Sequence, residues 1–303
     1  MGKAEVKNTH IIPQTYLKQF LAMPFHNQKE KSVFIAYKND FNDWQRAGIK
    51  NKPFSTYHFY DFSSINEKTQ TVENYLCNHI ETKYQRIIEK ISNEEILEDE
   101  DLTNLFRFII TMRYRTKRMQ QVLQEPIDKL RQYSKDFEME RNKEVFKEFF
   151  SVTCDYSKIW LLGTDRILEQ SLFNKNSIFI IHNNTEIPFI TSDNPINLDI
   201  LGEYEIVYGL GLPYKNSEEQ IKHSILFPMS PQILFFYCNC VDSLQIESHR
   251  LELIDSNIAF RFNSFQIRNC DSFIISNRND TNINYAKFYE DILAYNNQTK
   301  EKL

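Results

Sequence analysis

The spacing of apolar residues changes from a helical period to a strand-like one near residue 175 of this sequence. Across residues 71–173 the apolar positions recur every three or four residues, which predicts a helical region in four stretches. We expect its breaks near residues 92–93, 125–126 and 151–155, where Ser, Asn, Pro or Asp interrupt the pattern.

Beyond residue 177 the apolar runs are short, rich in β-branched and aromatic residues, and bounded by Pro, Asn and Gly. They predict strands at residues 178–182, 187–191, 206–209, 224–227, 233–238 and 272–276, with one helix at residues 244–262. Ahead of the helical region we expect a short helix starting at Pro13 and two short strands, at residues 33–37 and 57–60.

These elements predict an α+β fold, in which a helical central region packs on a mostly antiparallel sheet formed largely by the C-terminal half. With 303 residues, of which 41% are hydrophobic, the chain is large enough to bury a sizeable core. We therefore predict a single domain, residues 1–303, with a helical part to about residue 173 and a sheet-rich part over residues 174–303.

Glycine is rare in this chain, and its positions exclude two classes of nucleotide-binding protein. The 6 glycines form neither a G-x-G-x-x-G nor a G-x-x-x-x-G-K-[ST] pattern. The backbone-cradled phosphate sites of Rossmann and P-loop proteins depend on those patterns. Both kinds of site are excluded.

The net charge argues against a broad surface for nucleic acid. Lys and Arg number 36 against 41 Asp and Glu, a formal charge of -5. A polyanion is repelled by such a chain unless positive charge is gathered locally. Any nucleic-acid site must therefore be a local one.

Membrane insertion and a disulfide framework are not expected. No run approaches the ~20 apolar residues that span a bilayer, and the first ten residues are polar. The 5 cysteines are odd in number and scattered, which fits neither disulfides nor a zinc site. We expect a cytoplasmic protein with no membrane partner.

Four blocks of the sequence resemble motifs of a known family. They are His10-x-x-Pro13-x-x-Tyr16-Leu17-x-x-Phe20, the helix with Glu73 and Glu81, Phe-Ile-Thr-Ser-Asp-Asn-Pro-Ile at residues 189–196, and Phe-Pro-Met-Ser-Pro at residues 227–231. On these blocks the chain resembles the uncharacterised bacterial domain family catalogued as DUF4238. The resemblance implies no activity. The sporadic, accessory character of that family suggests a toxin or phage-defence role.

His10 is the first candidate for a functional residue. An imidazole just ahead of a helix can bind a metal ion or carry a proton near neutral pH. The alternative is a buried, hydrogen-bonded histidine that fixes the N-terminal segment. Gln14, in the first turn of that helix, is predicted to contact substrate.

Asp193 and Asn194 follow the strand predicted at residues 187–191. Strand ends commonly place polar groups at the rim of a site. We predict a catalytic and metal-binding role for Asp193 and a substrate-binding role for Asn194. The alternative is a turn in which residues 191–194 satisfy one another's backbone groups.

Two arginines lie beside the predicted buried stripe of a helix over residues 102–123. On a helical wheel Arg113 and Arg115 flank this stripe on opposite sides, half buried, with head groups able to hold phosphate through two hydrogen bonds. We predict both as substrate-binding residues. The alternative is a structural salt bridge to Glu73 or Glu81.

Glu73 and Glu81 are eight residues apart, about 80° around a regular helix, and are able to flank one groove. Carboxylates with an imidazole are the ligands from which Mg²⁺ or Mn²⁺ sites for phosphodiester chemistry are built. We predict His10, Glu81 and Asp193 as catalytic residues and metal ligands. A solvated helix surface explains each glutamate alone.

Together these residues lead to a hypothesis of an intracellular bacterial enzyme that acts on a phosphate-bearing substrate, as a metal-dependent nuclease of a toxin or phage-defence system. Its partner would be nucleic acid or a nucleotide, and its cofactor Mg²⁺ or Mn²⁺. The alternative is a non-catalytic sensor or adaptor that binds a nucleotide, or a protein partner in a defence complex, through the same pocket. A purely structural protein is a third possibility.

Overall fold

The computed structural model of the chain describes residues 8–22, 31–57, 59, 71–136, 175–198, 207, 210–213, 224–241 and 250–279. The chain divides into two compact units, each made of two segments. The first unit is Met1–Pro13 with Pro53–Leu172, and the second is Gln14–Lys52 with Phe173–Leu303. The prediction that the whole chain forms a single domain stays a prediction.

The first unit begins with a small β-ladder. Strand β1, Asn8–His10, pairs antiparallel with β4, Ser55–Tyr57, so that His10 lies opposite Ser55. The backbone N–H of Ile11 continues the pairing by donating to the carbonyl of Phe54 at 2.9 Å. This ladder fixes the backbone of His10.

The described helices of the first unit follow in chain order. They are α2, Thr71–Tyr75, which continues through a π-helical segment, Leu76–Glu81, into α3, Thr82–Ser92, and then α4, Asp99–Arg115, and α5, Lys117–Asp136. Helix α3 buries residues at helical spacing, including Tyr84, whose ring stacks on Phe108 of α4 with centroids 3.7 Å apart. This contact joins the apolar faces of α3 and α4.

The helix break predicted at residues 92–93 is confirmed, because α3 ends at Ser92. The break predicted at residues 125–126 is wrong, because α5 continues through Pro126. The chain instead breaks at Thr116, whose hydroxyl accepts from the N–H of Met119 at 3.2 Å and so caps the start of α5. A single helix over residues 102–123 is therefore also wrong. The break predicted at residues 151–155 lies outside the described residues.

The described residues of the second unit form two sheets. Their strands are β2 Ser32–Tyr37, β3 Asp40–Gly48, β5 Ile178–Asn183, β6 Thr191–Ser192, β7 Asn197–Leu198, β8 Ser224–Ser230, β9 Ile233–Cys238, β10 Arg250–Leu253 and β11 Phe273–Ser276. A five-stranded sheet has the order β10-β5-β9-β8-β7, and a four-stranded sheet has the order β3-β2-β11-β6. Every pair is antiparallel except β10 with β5.

The described part of the second unit also contains two α-helices. The short helix α1, Gln14–Leu17, continues as a 3-10 turn, Lys18–Phe20. Helix α6, Ser256–Asn269, buries an apolar face against the strands, with Phe262 packed edge-on to Phe189. The sheets are largely built from C-terminal strands, which confirms the predicted α+β class.

The C-terminal helix was predicted at residues 244–262, and its start is wrong. Residues 250–253 form β10, and α6 begins at Ser256, where the Asp255 carboxylate caps it by accepting from the N–H of Asn257 at 2.8 Å. The remainder of that prediction, residues 244–249, lies outside the described residues, as does most of the strand predicted at residues 206–209.

Other strand predictions differ in extent. Of the strand predicted at residues 57–60, Tyr57 ends β4, Phe59 lies in a turn, and residues 58 and 60 lie outside the described residues. Strand β3 was not predicted. Of the strand predicted at residues 187–191, only Thr191 is in a strand. Two of the preceding backbone groups bond to a helix side chain, since Asn263 of α6 binds the carbonyl of Pro188 and the N–H of Ile190.

Among the described residues, no helix combines the length and apolar character needed to cross a membrane.

Candidate functional site

Arg115 is the centre of a polar cluster in the first unit. It is the last residue of α4 and its side chain is only 1% exposed. Its Nη1 donates to Oε1 of Glu81 at 2.6 Å, and its Nη2 donates to the carbonyl oxygen of His10 at 2.5 Å. The guanidinium therefore joins the π-helical segment to the end of β1.

This geometry confirms the salt bridge to Glu81 that was the alternative for Arg115. The prediction of a half-buried Arg115 with a free head group is wrong. Because α4 ends at this residue and Thr116 turns into extended backbone with ψ 145°, Arg115 does not lie on the flank of a continuous helix. Arg113 is half-buried, and its substrate-binding role stays a prediction.

The π-helical segment changes the relation between the two glutamates. In a regular helix they would lie about 80° apart, but a π turn holds more residues and rotates less at each one. Both carboxylates lie close enough to interact electrostatically with Arg115. Glu73 and Glu81 thus both interact with Arg115, and the groove predicted between them stays a prediction.

Glu73 is the less satisfied of the two. Its Oε2 is buried and has no hydrogen-bond partner among the residues that the structure describes. Burial raises the pKa of this carboxyl, the charge of Arg115 lowers it, and the negative charge of Glu81 raises it further. Within the described residues, the charge on Oε2 is therefore not compensated by a hydrogen bond.

Cys77 also belongs to this cluster, which the sequence analysis missed. It lies four residues from each glutamate, a spacing that was visible in the sequence. Partial burial and then the charges of Glu81 and Glu73 raise the pKa of its thiol, more than Arg115 lowers it. The thiol is therefore kept protonated, which does not suit a nucleophile.

Asp193, in the second unit, uses its carboxylate to bind backbone. Oδ1 accepts from the N–H of Asp271 at 2.9 Å, and Oδ2 accepts from the N–H of Ser272 at 2.8 Å. Burial raises the pKa of Asp193 and outweighs the lowering by these hydrogen bonds. The carboxylate thus ties the end of β6 to the loop between α6 and β11.

Asn194 is similarly engaged with the end of α6. Its Nδ2 donates to the carbonyl of Asn269 at 3.1 Å, and Nδ2 of Asn269 donates to the carbonyl of Asn194 at 2.9 Å. The N–H of Asn194 donates to the Ser192 hydroxyl at 3.3 Å, the local bond expected of the alternative turn. The site roles of Asp193 and Asn194 stay predictions.

We expect Asp193→Asn to lower the free energy of unfolding by about 1–3 kcal/mol, because an amide cannot accept from both backbone N–H groups and leaves one unpaired. Asp43→Asn, at an exposed position of β3, is the matched control and should change it by less than about 0.5 kcal/mol. Urea denaturation of both variants measures the difference. Equal stability of the two variants would show that the Asp193 carboxylate is not structural.

Three of the four blocks that carry the family resemblance meet at Tyr16 in the second unit. Its hydroxyl lies 2.6 Å from Oγ1 of Thr191 and donates to the carbonyl of Pro228 at 2.7 Å. Its ring stacks on Phe227, with centroids 5.1 Å apart. Burial raises the pKa of this hydroxyl, so it remains a neutral hydrogen-bonding group that holds α1 to β6 and β8.

Two of the three residues of the predicted metal site lie in the first unit. His10 and Glu81 are brought to one guanidinium in the first unit, through the His10 carbonyl and the Glu81 carboxylate. Asp193 belongs to the second unit. Within the described residues, no group of three His, Cys, Asp or Glu side chains is placed to hold a metal ion. The complete set of His10, Asp193 and Glu81 stays a prediction.

Gln14 lies half-buried at the start of α1 and lines a cavity of about 580 Å³ in the second unit. Lysines 18, 31 and 50 also line this cavity, and the sequence analysis did not single them out. These lysines are distant from one another in sequence. The pairing of β2 with β3 brings Lys31 and Lys50 together. The contact of Gln14 with substrate stays a prediction.

Comparison with known proteins identifies a family only. The family model described as "Protein of unknown function (DUF4238)" matches residues 8–280. No curated protein and no solved structure has a significant match to the chain.

Proposed function

We propose that this chain, which belongs to the DUF4238 family of proteins of unknown function, acts on a phosphate-bearing substrate through a divalent cation held by Glu73 and Glu81. The reaction class is phosphodiester hydrolysis, and the proposed substrate is nucleic acid. The cation is Mg²⁺ or Mn²⁺, both of which favour oxygen ligands.

The observation that supports this proposal is the buried Oε2 of Glu73, which has no hydrogen-bond partner among the described residues. A buried acceptor left unpaired costs about 1–3 kcal/mol, and more when it is charged. When both carboxyl groups beside Arg115 are ionised, negative charge is in excess there. A divalent cation would satisfy the oxygen and offset that excess charge.

Two carboxylates are enough for such a cation. Mg²⁺ is commonly held by one or two carboxylates, and waters and substrate phosphate oxygens complete its coordination. When bound, the cation would polarise a phosphoryl oxygen and make a bound water more acidic. Arg115 has a positioning role, since its bond to Oε1 of Glu81 fixes that carboxylate.

His10 is the proposed proton carrier. Arg115 holds the His10 carbonyl, and β4 holds the strand, so its backbone is fixed on two sides. An imidazole titrates near neutral pH, which suits proton transfer to a leaving oxygen. The His10 side chain is half-buried, so it reaches solvent while the β1–β4 ladder stays intact.

The test compares Glu73→Gln with Glu89→Gln. Glu89 is an exposed glutamate on α3 whose side chain accepts a hydrogen bond from Gln85. Manganese binding is measured by electron paramagnetic resonance, and hydrolysis with bis(p-nitrophenyl) phosphate, RNA and DNA. We expect Glu73→Gln to weaken manganese binding at least roughly tenfold and to lower hydrolysis by about 100-fold or more. Glu89→Gln should match the unchanged protein.

Loss of folding does not explain such a result, because Gln at position 73 removes a buried unpaired charge and should not lower the melting temperature. If the unchanged protein neither binds manganese nor cleaves any of the three substrates, the proposal is wrong.

A second candidate function, a non-catalytic adaptor that binds a protein partner, is favoured by the state of Arg115. Its guanidinium is buried and already bonded to Glu81 and His10, which leaves it unsuited to grip a phosphate. If the protein has this second function, Glu73→Gln should leave the affinity for that partner unchanged.

A further inference from the structure

The cavity in the second unit lies between α1 and the open end of the β2–β3 hairpin. Four residues apart, Gln14 and Lys18 face the same side of the first turns, while the opposite side buries Tyr16, Leu17 and Phe20. The described residues that line the cavity are Gln14, Lys18, Lys31, Gly48, Ile49, Lys50 and Asn51.

Backbone hydrogen bonds hold the walls of this cavity in place. Ser32 pairs with Gly48 where the hairpin opens. Beyond that pair, the N–H of Ile49 donates to the carbonyl of Lys31 at 3.0 Å, and the buried Ile49 side chain anchors the turn. The N–H of Ala22 donates to the carbonyl of Ser32 at 2.8 Å, which joins the end of the helical segment to β2. The lysine backbones are therefore preorganised.

The charge around this cavity is uniform. Lys18, Lys31 and Lys50 line it, and none of them forms an ion pair with a residue that the structure describes. None of its described lining residues is acidic. In a chain with a formal charge of -5, three lysines gathered without a carboxylate create a local positive potential. An anion is the ligand that this potential favours.

We propose that the cavity binds a small phosphorylated molecule and recognises it through a chain of two or three phosphate groups. Lysine binds phosphate as a point charge, whereas planar carboxylates are more often held by the arginine fork. Three cations match the charge of a diphosphate or triphosphate. The amides of Gln14 and Asn51 supply neutral hydrogen bonds at the same walls.

The size and placement favour a small molecule over a nucleic-acid strand. A volume of about 580 Å³ falls within the range of small-molecule sites. A strand would need positive charge along an extended path, whereas the described lysines line a single cavity. This site belongs to the second unit, and its assignment does not rest on the proposed hydrolase, which uses residues of the first unit.

Isothermal titration calorimetry with sodium triphosphate and with ATP, at ~150 mM salt, tests the proposal. We expect both to bind at one site per chain. Lys31→Ala and Lys50→Ala should each weaken binding by roughly tenfold or more, because each removes a charge-assisted hydrogen bond. Lys52→Ala is the matched control, since it removes an exposed lysine two residues from Lys50 that is not among the lining residues.

Because these lysines are exposed, we expect the variants to have unchanged melting temperatures. A loss of binding would then not result from unfolding. Equal affinity for triphosphate and ATP would assign recognition to the phosphate chain, and tighter binding of ATP would add contacts to the nucleoside. The proposal is overturned if neither ligand binds, or if Lys52→Ala weakens binding as much as the other two variants. It is equally overturned if only a single-stranded oligonucleotide depends on these lysines.

Discussion

Arg115→Met is expected to lower the free energy of unfolding by about 3–5 kcal/mol, the cost of removing one partner from a buried ion pair. The arginine is 1% exposed and Glu81 only 14% exposed, so water does not replace the lost partner. The substitution also leaves the carbonyl of His10 without its donor. Urea denaturation in the absence of divalent cations measures the change.

Two further variants separate the ion pair from general packing. Arg86→Met, at an exposed position of α3, removes the same charge and should change the free energy of unfolding by less than about 0.5 kcal/mol. The double variant Arg115→Met with Glu81→Leu should recover part of the loss, since it no longer buries an unpaired carboxylate. Similar destabilisation by Arg86→Met and Arg115→Met would contradict the importance of the ion pair.

The cluster around Arg115 could be predicted in part. The sequence pattern placed Glu73, Glu81 and the two arginines on helices and offered the salt bridge as an alternative, which the structure confirms for Arg115 and Glu81. A helical wheel assumes regular helices, and this chain departs from that twice. The π-helical segment rotates the glutamates, and the cap at Thr116 ends the arginine-bearing helix. Neither departure is marked in the sequence by a residue as indicative of a helix break as glycine or proline.

The fold class was predictable because the change of hydrophobic period is long and unambiguous. The individual strands of the second unit were less predictable. A short apolar run does not indicate which groups will form hydrogen bonds with its backbone. The run at residues 187–191 illustrates this. It is apolar and β-branched, yet the carbonyl of Pro188 and the N–H of Ile190 bond to the Asn263 side chain of α6 in place of a neighbouring strand.

The polar residues of α6 were a signal that the sequence carried. Asn263 and Gln266 lie on the face of an otherwise apolar helix, beside Phe262 and Phe265, and both are at most 1% exposed. Amide side chains are placed in an apolar core only where their hydrogen bonds are satisfied. Nε2 of Gln266 donates to the carbonyl of Pro195 at 2.8 Å, and its Oε1 accepts from the Ser192 hydroxyl at 3.0 Å.

Asn263 performs the same task three residues earlier on the helix. Its Nδ2 donates to the carbonyl of Pro188 at 2.8 Å, and its Oδ1 accepts from the N–H of Ile190 at 2.9 Å. One amide thus satisfies a backbone donor and a backbone acceptor, as a neighbouring strand would. The segment that leads to Asp193 is therefore held by α6, and its position depends on these two side chains.

Asn263→Leu should consequently lower the free energy of unfolding by about 2–6 kcal/mol, because leucine has a similar volume but leaves two buried backbone groups unpaired at about 1–3 kcal/mol each. Asn257→Leu, on the exposed first turn of α6, is the control and should shift it by less than about 0.5 kcal/mol. Hydrogen exchange gives a local measure: the amide of Ile190 should lose protection in Asn263→Leu and keep it in the control. Retained protection of that amide would mean that another group satisfies the segment, and the role assigned to α6 would then be incorrect.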